Sequence, residues 1–218
     1  DLCDNRLHAE GAEALARGLE INEKLSELDL SSNAIGGKAM SSLLEAIANA
    51  SQSRKGVLRT LRVLRLGDNG LGDGATEALM SVLASSKALQ HLTLESNKMT
   101  SISASLLCTQ LSSPKCPLVE LDLSWNAMRA TAIEELSGAL RDNHHLLRLG
   151  LGWNVMGNRG GVALGAMLEA NTTLRTLAVP HAAIEAEGAE ALATALSRTN
   201  RTLTALELSF NLVGEDAV

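Results

Sequence analysis

Apolar and polar residues alternate along this chain in short bursts. Leucines at the first, fourth and sixth positions of a burst are followed by Asn at the ninth and by Leu, Ile, Met or Val at the eleventh. The stretch from Leu118 to Met128, Leu-Val-Glu-Leu-Asp-Leu-Ser-Trp-Asn-Ala-Met, shows the whole pattern. Copies begin at Leu25, Leu61, Leu89, Leu118, Leu146, Leu174 and Leu203, and a truncated one runs through Leu2, Asn5 and Leu7. The starts lie 36, 28, 29, 28, 28 and 29 residues apart. Self-similarity at such a period marks a solenoid, whose units stack because none can bury its apolar side alone.

Each half of the repeat predicts one element. Alternation over positions 1 to 6 predicts a short strand with leucines inward and polar residues outward. Asn at 5, 33, 69, 97, 126, 154 and 211 offers two donors and an acceptor to the backbone of a buried bend, so a ladder of asparagines is expected. Six residues past that position stand small side chains, Gly11, Ala39, Ala75, Ser103, Ala132, Gly160 and Gly188, which suit a helix packed closely on the strand layer. Leu15, Leu43, Leu79, Leu107, Leu136, Leu164 and Leu192, each with an apolar partner four residues on, give that helix one apolar seam. The prediction is an α/β solenoid, strand then bend then helix, in one array spanning 1–218.

The L-x-x-L-x-L-x-x-N-x-L half and the G-x-x-x-L-x-x-x-L half together resemble leucine-rich repeats of the ribonuclease-inhibitor type, and the resemblance covers the whole chain. That subfamily includes ribonuclease inhibitor, the Ran GTPase-activating protein, the arrays of NOD-like receptors and many cytosolic repeat proteins, some of them ciliary. The Leu-Ser-Trp-Asn and Leu-Gly-Trp-Asn variants are most similar to the last group. The resemblance implies a horseshoe with a parallel sheet on its concave face and helices on its convex face. It also implies seven to eight repeats, a cytoplasmic setting and a place in a ciliary or cytoskeletal assembly.

Composition and irregularities refine this picture. The 218 residues are 45% hydrophobic, enough for a large core, with no apolar run long enough to span a membrane and no signal peptide. The array starts and stops inside a repeat, and we expect a segment of a longer protein. Three cysteines, with Cys3 expected on a strand, lack the paired terminal spacing of secreted arrays and predict a reducing compartment. Glycosylation triplets begin at Asn49, Asn171 and Asn200, but each falls where a helix must end, and Asn tolerates the left-handed conformation of such an ending. The stretch 51–60 carries Arg54, Lys55 and Arg59 and should form a basic loop. Pro114 should stop a helix, while Pro180 removes a strand donor and Ala182 replaces the ladder Asn.

Outward strand positions carry Asp1, Asp4, Glu27, Asp29, Asp68, Glu95, Glu120, Asp122 and Glu207 against only Arg65 and Arg148. A concave face of one sign attracts a partner that is basic or apolar. Tyr is absent from the chain, and its two Trp and one Phe all sit at position 8, as Trp125, Trp153 and Phe210, with His181 in the repeat between. Strands lie about 4.8 Å apart, so these four rings form one column. Half exposed, they would present an apolar patch on the order of 300 Å², the scale at which patches begin to mark interaction sites. The column either binds a partner, with Glu120, Asp122, Arg148 and Glu207 as its charged rim, or only braces the array.

Chemistry finds no foothold in the motifs. The chain has no phosphate loop, nucleophile elbow or H-E-x-x-H, and Cys108 and Cys116 lack a second pair for zinc. His144 and His145 are expected to close a helix. A net charge of −6 with an acidic grasping face argues against nucleic acid. The expectation is a non-enzymatic protein-interaction scaffold needing no metal or cofactor. The alternative is a GTPase-activating module similar to the Ran activator.

Overall fold

The structure, a computed structural model, describes residues 1–50 and 59–214. The expected basic loop falls mostly on 51–58, outside the described residues. The elements are α1 (His8–Leu19), β1 (Glu27–Asp29), α2 (Gly37–Ala50), β2 (Val63–Arg65), α3 (Thr76–Ser85), β3 (His91–Thr93), α4 (Ser101–Leu111), β4 (Glu120–Asp122), α5 (Ala130–Leu140), β5 (Arg148–Gly150), α6 (Gly157–Ala170), β6 (Thr176–Ala178), α7 (Ala186–Arg198) and β7 (Ala205–Glu207). A 3-10 turn, Asp73–Ala75, leads into α3. Strand order is chain order, β1 to β7. The chain divides into two compact units, Asp1–Lys98 with Lys115–Leu121, and Met99–Pro114 with Asp122–Val218.

Within the first unit β1, β2 and β3 pair in parallel, with Leu28 opposite Leu64 and Leu64 opposite Leu92. Within the second, Leu149 pairs with Leu177 and Leu177 with Leu206. Same-position residues therefore stand side by side, which makes each template position a column. The inward register follows the alternation: Leu28, Leu30, Leu64, Leu66, Leu92 and Leu94 are buried in the first unit, and Leu123, Leu149, Leu151, Leu177 and Val179 in the second. Helix seams meet them, as at Leu43 and Ile47 of α2 or Leu164 and Leu168 of α6.

Asparagines hold the bends. Asn69 Nδ2 donates to the carbonyls of Leu30, Leu66 and Gly67 at 2.8, 3.1 and 3.0 Å, while its Oδ1 accepts from the amide of Asn33 at 3.2 Å. Asn154 repeats this in the second unit, donating to Leu123, Leu151 and Gly152 and accepting from the Met128 amide at 3.1 Å. One amide thus ties a bend to its neighbour, and its removal would orphan several buried backbone groups at once. Where Ala182 interrupts the ladder, its own carbonyl accepts from the amides of Met156 and Gly157 at 3.1 and 3.0 Å, so the backbone fills the vacancy.

Several expectations are corrected. The small residue at the start of each helix faces the apolar side chain of its own bend: a Cβ on Gly160 would meet Met156 Cβ at 2.5 Å, and one on Gly188 would meet Ile184 Cγ2 at 2.9 Å. Cys3 lies on a turn, not a strand, although the amides of Leu2 and Asp4 donate to Asp29 and Ser31 like rungs of the sheet. His144 and His145 lie beyond α5, which ends at Leu140. Asn171 is extended (φ −71°, ψ 125°) rather than left-handed.

Asn171 belongs to a second ladder that runs where each helix returns to the next strand. Asn143, Asn171 and Asn200 are buried, and each Oδ1 caps two amides of the following turn, as Asn171 does for Thr173 and Leu174 at 2.9 and 2.8 Å. Their Nδ2 groups reach back to Leu111, Leu140 and Leu168 at 2.7 to 2.8 Å. With both amide hydrogens of Asn171 and Asn200 committed to backbone carbonyls, these triplets serve folding.

Candidate protein-binding surface

Every position-8 residue of the array has left-handed backbone. In the first unit these are Asp4 (φ 57°), Ser32 (55°), Asp68 (50°) and Ser96 (56°); in the second, Trp125 (58°), Trp153 (58°), His181 (50°) and Phe210 (59°). The cause is shared. Position 8 sits at the bend, and its amide donates to the position-7 carbonyl of the next repeat: Ser32 to Gly67 at 2.9 Å, Trp125 to Gly152 and Trp153 to Pro180 at 2.8 Å, His181 to Ser209 at 3.0 Å. The following residue turns inward to the ladder, so the backbone is fixed whatever the side chain. Asp, Asn and His adopt this conformation more often than other residues, whereas for a bulky ring such as Trp or Phe it is a true outlier costing roughly 1 to 2 kcal/mol.

The four rings form one continuous stack. Trp125 and Trp153 have centroids 3.8 Å apart and planes 13° from parallel; Trp153 and His181 are at 3.6 Å and 22°; His181 and Phe210 are at 4.3 Å and 13°. Faces are spent on each other, so the stack shows mainly ring edges to solvent. It stays open to solvent: Trp125 is 52% exposed, Trp153 39% and Phe210 76%, with His181 half-buried.

Beside the rings the strand face of the second unit is nearly bare. A Cβ at Gly152 would meet the Pro180 ring at 2.7 Å, so that position has no room for a side chain, while one at Gly150 would meet the Asp122 carboxylate at 2.6 Å and push it aside. Asp122 Oδ1 accepts from the Ser124 amide at 2.8 Å, Glu207 Oε1 accepts from Ser209 Oγ at 3.0 Å, and Arg148 is exposed on β5. These three share the strands that lead into the rings. Glu120 belongs to the first unit, where its Oε2 lies 2.9 Å from His91 Nδ1.

Charge divides between the units in the same way. Seven of the nine outward acids, Asp1, Asp4, Glu27, Asp29, Asp68, Glu95 and Glu120, lie in the first unit, and two, Asp122 and Glu207, in the second. Of the outward positions, those of the first unit are the more acidic and those of the second carry the rings. The first unit's position-8 column is polar, with Ser32 Oγ donating to Asp68 Oδ2 at 3.2 Å.

Two of the thiols, Cys108 and Cys116, are held in the protonated, weakly nucleophilic form. Burial, with the Glu135 carboxylate nearby, pushes Cys108 up to about 11, and burial also raises Cys116. All three cysteines are free. Among the described residues no group of three His, Cys, Asp or Glu side chains could hold a metal ion, and no helix is long and apolar enough to cross a membrane.

Parallel strands in register, two asparagine ladders and a helix per repeat define an α/β solenoid of leucine-rich units. Comparison with known proteins agrees. The family model described as "Leucine Rich repeat" matches residues 22–44, 57–80, 115–137, 142–165, 170–193 and 199–216, and the chain belongs to the leucine-rich repeat family. It is 32% identical over 195 residues to ribonuclease inhibitor of Sus scrofa, covering 89% of this chain and 41% of that protein. It is 31% identical over 211 residues to human NACHT, LRR and PYD domains-containing protein 12, covering 96% of this chain and 19% of that protein. The chain thus spans well under half of either relative. The tropomodulin C-terminal domain of Caenorhabditis elegans shares the fold, with a TM-score of 0.52 and 21% identity over 75% of this chain and 92% of that one.

Proposed function

We propose that the chain is a non-catalytic protein-interaction module whose second unit docks a protein partner on the ring column of Trp125, Trp153, His181 and Phe210. The observation that carries this reading is the cost of the column. Trp125, Trp153 and Phe210 hold bulky rings at left-handed positions, at roughly 1 to 2 kcal/mol apiece, and His181 continues the column between them. Three stacking contacts return about 0.5 to 1.5 kcal/mol each beyond the area they bury, and the outer rings still leave apolar area in water, Trp125 at 52% and Phe210 at 76% exposure. Backbone strain carried by rings that remain exposed is the kind that collects at functional positions. Aromatic anchors on a rigid sheet also lose little entropy on binding and dominate interface energetics.

Asp122, Arg148 and Glu207 border the docking face and select its orientation. Glu120 lies on the first unit, whose acidic strand face taken by itself attracts basic groups. A cytoplasmic setting suits three free thiols and the ribonuclease-inhibitor type of repeat, and a ciliary or cytoskeletal assembly rests on resemblance alone. The test is paired affinity purification from native extract with the wild-type chain and a Trp125→Ser, Trp153→Ser, Phe210→Ser variant whose fold is checked by circular dichroism. The expected result is a partner retained by the wild type and lost by the folded variant. Equal recovery by both makes the column a brace.

A further inference from the structure

A second column runs beside the rings. Position 10 of the second unit holds Ala127, Val155, Ala183 and Leu212, all exposed, Val155 at 69% and Leu212 at 68%. In the first unit the same position holds Arg6, Ala34, Gly70 and Lys98. The apolar surface of the second unit therefore continues over the bend. Between the bends of Trp125 and Trp153 it opens into a cleft lined by Asn126, Ala127, Arg129, Ala130 and Val155. Asn126 turns its amide to the carbonyls of Leu123 and Ser124, which leaves the cleft methyl groups and one guanidinium.

That guanidinium is uncommitted. Arg129 is exposed and makes no ion pair among the described residues. The carboxylates of α5 are engaged elsewhere, Glu134 with Arg159 in a two-pronged contact at 2.8 to 3.0 Å and Glu135 with Ser105. On the same rim Glu185 accepts from Asn158 at 3.3 Å. The one charged residue lining the cleft itself is positive, Arg129 beside Ala127, Ala130 and Val155.

We infer that the docking surface extends from the rings over the bend into this cleft, and that its occupant is a segment of a protein partner carrying an apolar side chain beside a carboxylate. The apolar group fills the cleft against Ala127, Ala130 and Val155, and the carboxylate pairs with Arg129. This rests on the ring column being a docking face. It differs from the basic partner suggested by the chain's acidity, because most of that acidity lies on the first unit.

The test uses three sets of fluorescein-labelled synthetic peptides, equal in length, each with Leu and Phe flanked by Glu, by Lys or by Ser. Fluorescence anisotropy reads their affinity for the wild-type chain, Arg129→Glu and Trp153→Ser, with folding checked by circular dichroism. A charge-assisted contact predicts that the wild type binds the Glu set about tenfold tighter than the Lys set or more. Arg129→Glu should reverse that order, and Trp153→Ser should weaken every set. Equal affinity for the Glu and Lys sets, or an order unchanged by Arg129→Glu, overturns the acidic occupant and leaves the ring column standing. Binding by no set, or binding indifferent to Trp153→Ser, overturns both.

Discussion

The same backbone position is built twice in this molecule with opposite chemistry. Asp4, Ser32, Asp68 and Ser96 in the first unit, and Trp125, Trp153, His181 and Phe210 in the second, share a left-handed bend and the same amide ladder. In the first unit the side chain suits the backbone, and a hydrogen bond from Ser32 to Asp68 is all that links the column. In the second the side chain opposes the backbone and is kept anyway, as one stack of exposed rings. The contrast separates what the repeat needs from what the molecule does with it. The bend requires only a residue that can be held there, so the rings are not a requirement of the bend itself.

The comparison can be broken where the units should be alike. Leu66→Ala in the first unit and Leu123→Ala in the second should each cost about 2 to 5 kcal/mol in chemical denaturation, because both leucines are fully buried. A loss below about 0.5 kcal/mol at either would contradict the inward register. Asn97→Ala and Asn154→Ala should cost about 2 to 4 kcal/mol apiece by orphaning buried backbone groups, and a large difference between them would show that the ladder is not a common frame.

It sharpens where they should differ. Asp68→Trp places a ring on a left-handed bend without a stack to join, and should cost about 1 to 2 kcal/mol. Trp153→Asn relieves the same strain while breaking two ring contacts, so thermal unfolding should move it within about 1 kcal/mol of the wild type. Cooperative loss of most stability in Trp153→Asn would make the rings a brace.

The smallest effect concerns Cys108. The thiol is raised in the fold, so the unfolded chain ionises from pH 9 upward while the folded one holds its proton to about 11. Stability is therefore complete below pH 9 and declines as pH rises through that window. Alkylation of Cys108 by iodoacetamide should follow the same rise, and half-maximal labelling near pH 9 would show the thiol to be solvated.

How far the sequence reads is clear from particular residues. Leu64 and Leu66, or Leu121 and Leu123, announce their burial because a strand alternates with period two, and Asn69 or Asn154 announces the bend because few residues satisfy so many backbone groups. The ring column was legible too, since register alone stacks equal positions. The left-handed cost of Trp125 and Trp153 was not, because nothing in composition reports a dihedral angle. Nor was the second ladder, although its signal was present: Asn143, Asn171 and Asn200 each stand three residues before the leucine that opens the next repeat. The apolar cleft at Val155 was hidden because position 10 carries no repeat signature. The engagement of Glu134 and Glu135 depends on Arg159 and Ser105, residues 25 and 30 positions away.

The most direct measurement follows from an accident of composition: the only two tryptophans of the chain are both in the column. Intrinsic tryptophan fluorescence therefore reports the ring column and nothing else. Titration with the partner recovered by affinity purification should shift the emission to shorter wavelength and protect it from acrylamide quenching as the rings leave water. Emission and quenching unchanged at saturating partner would place binding elsewhere and contradict the account.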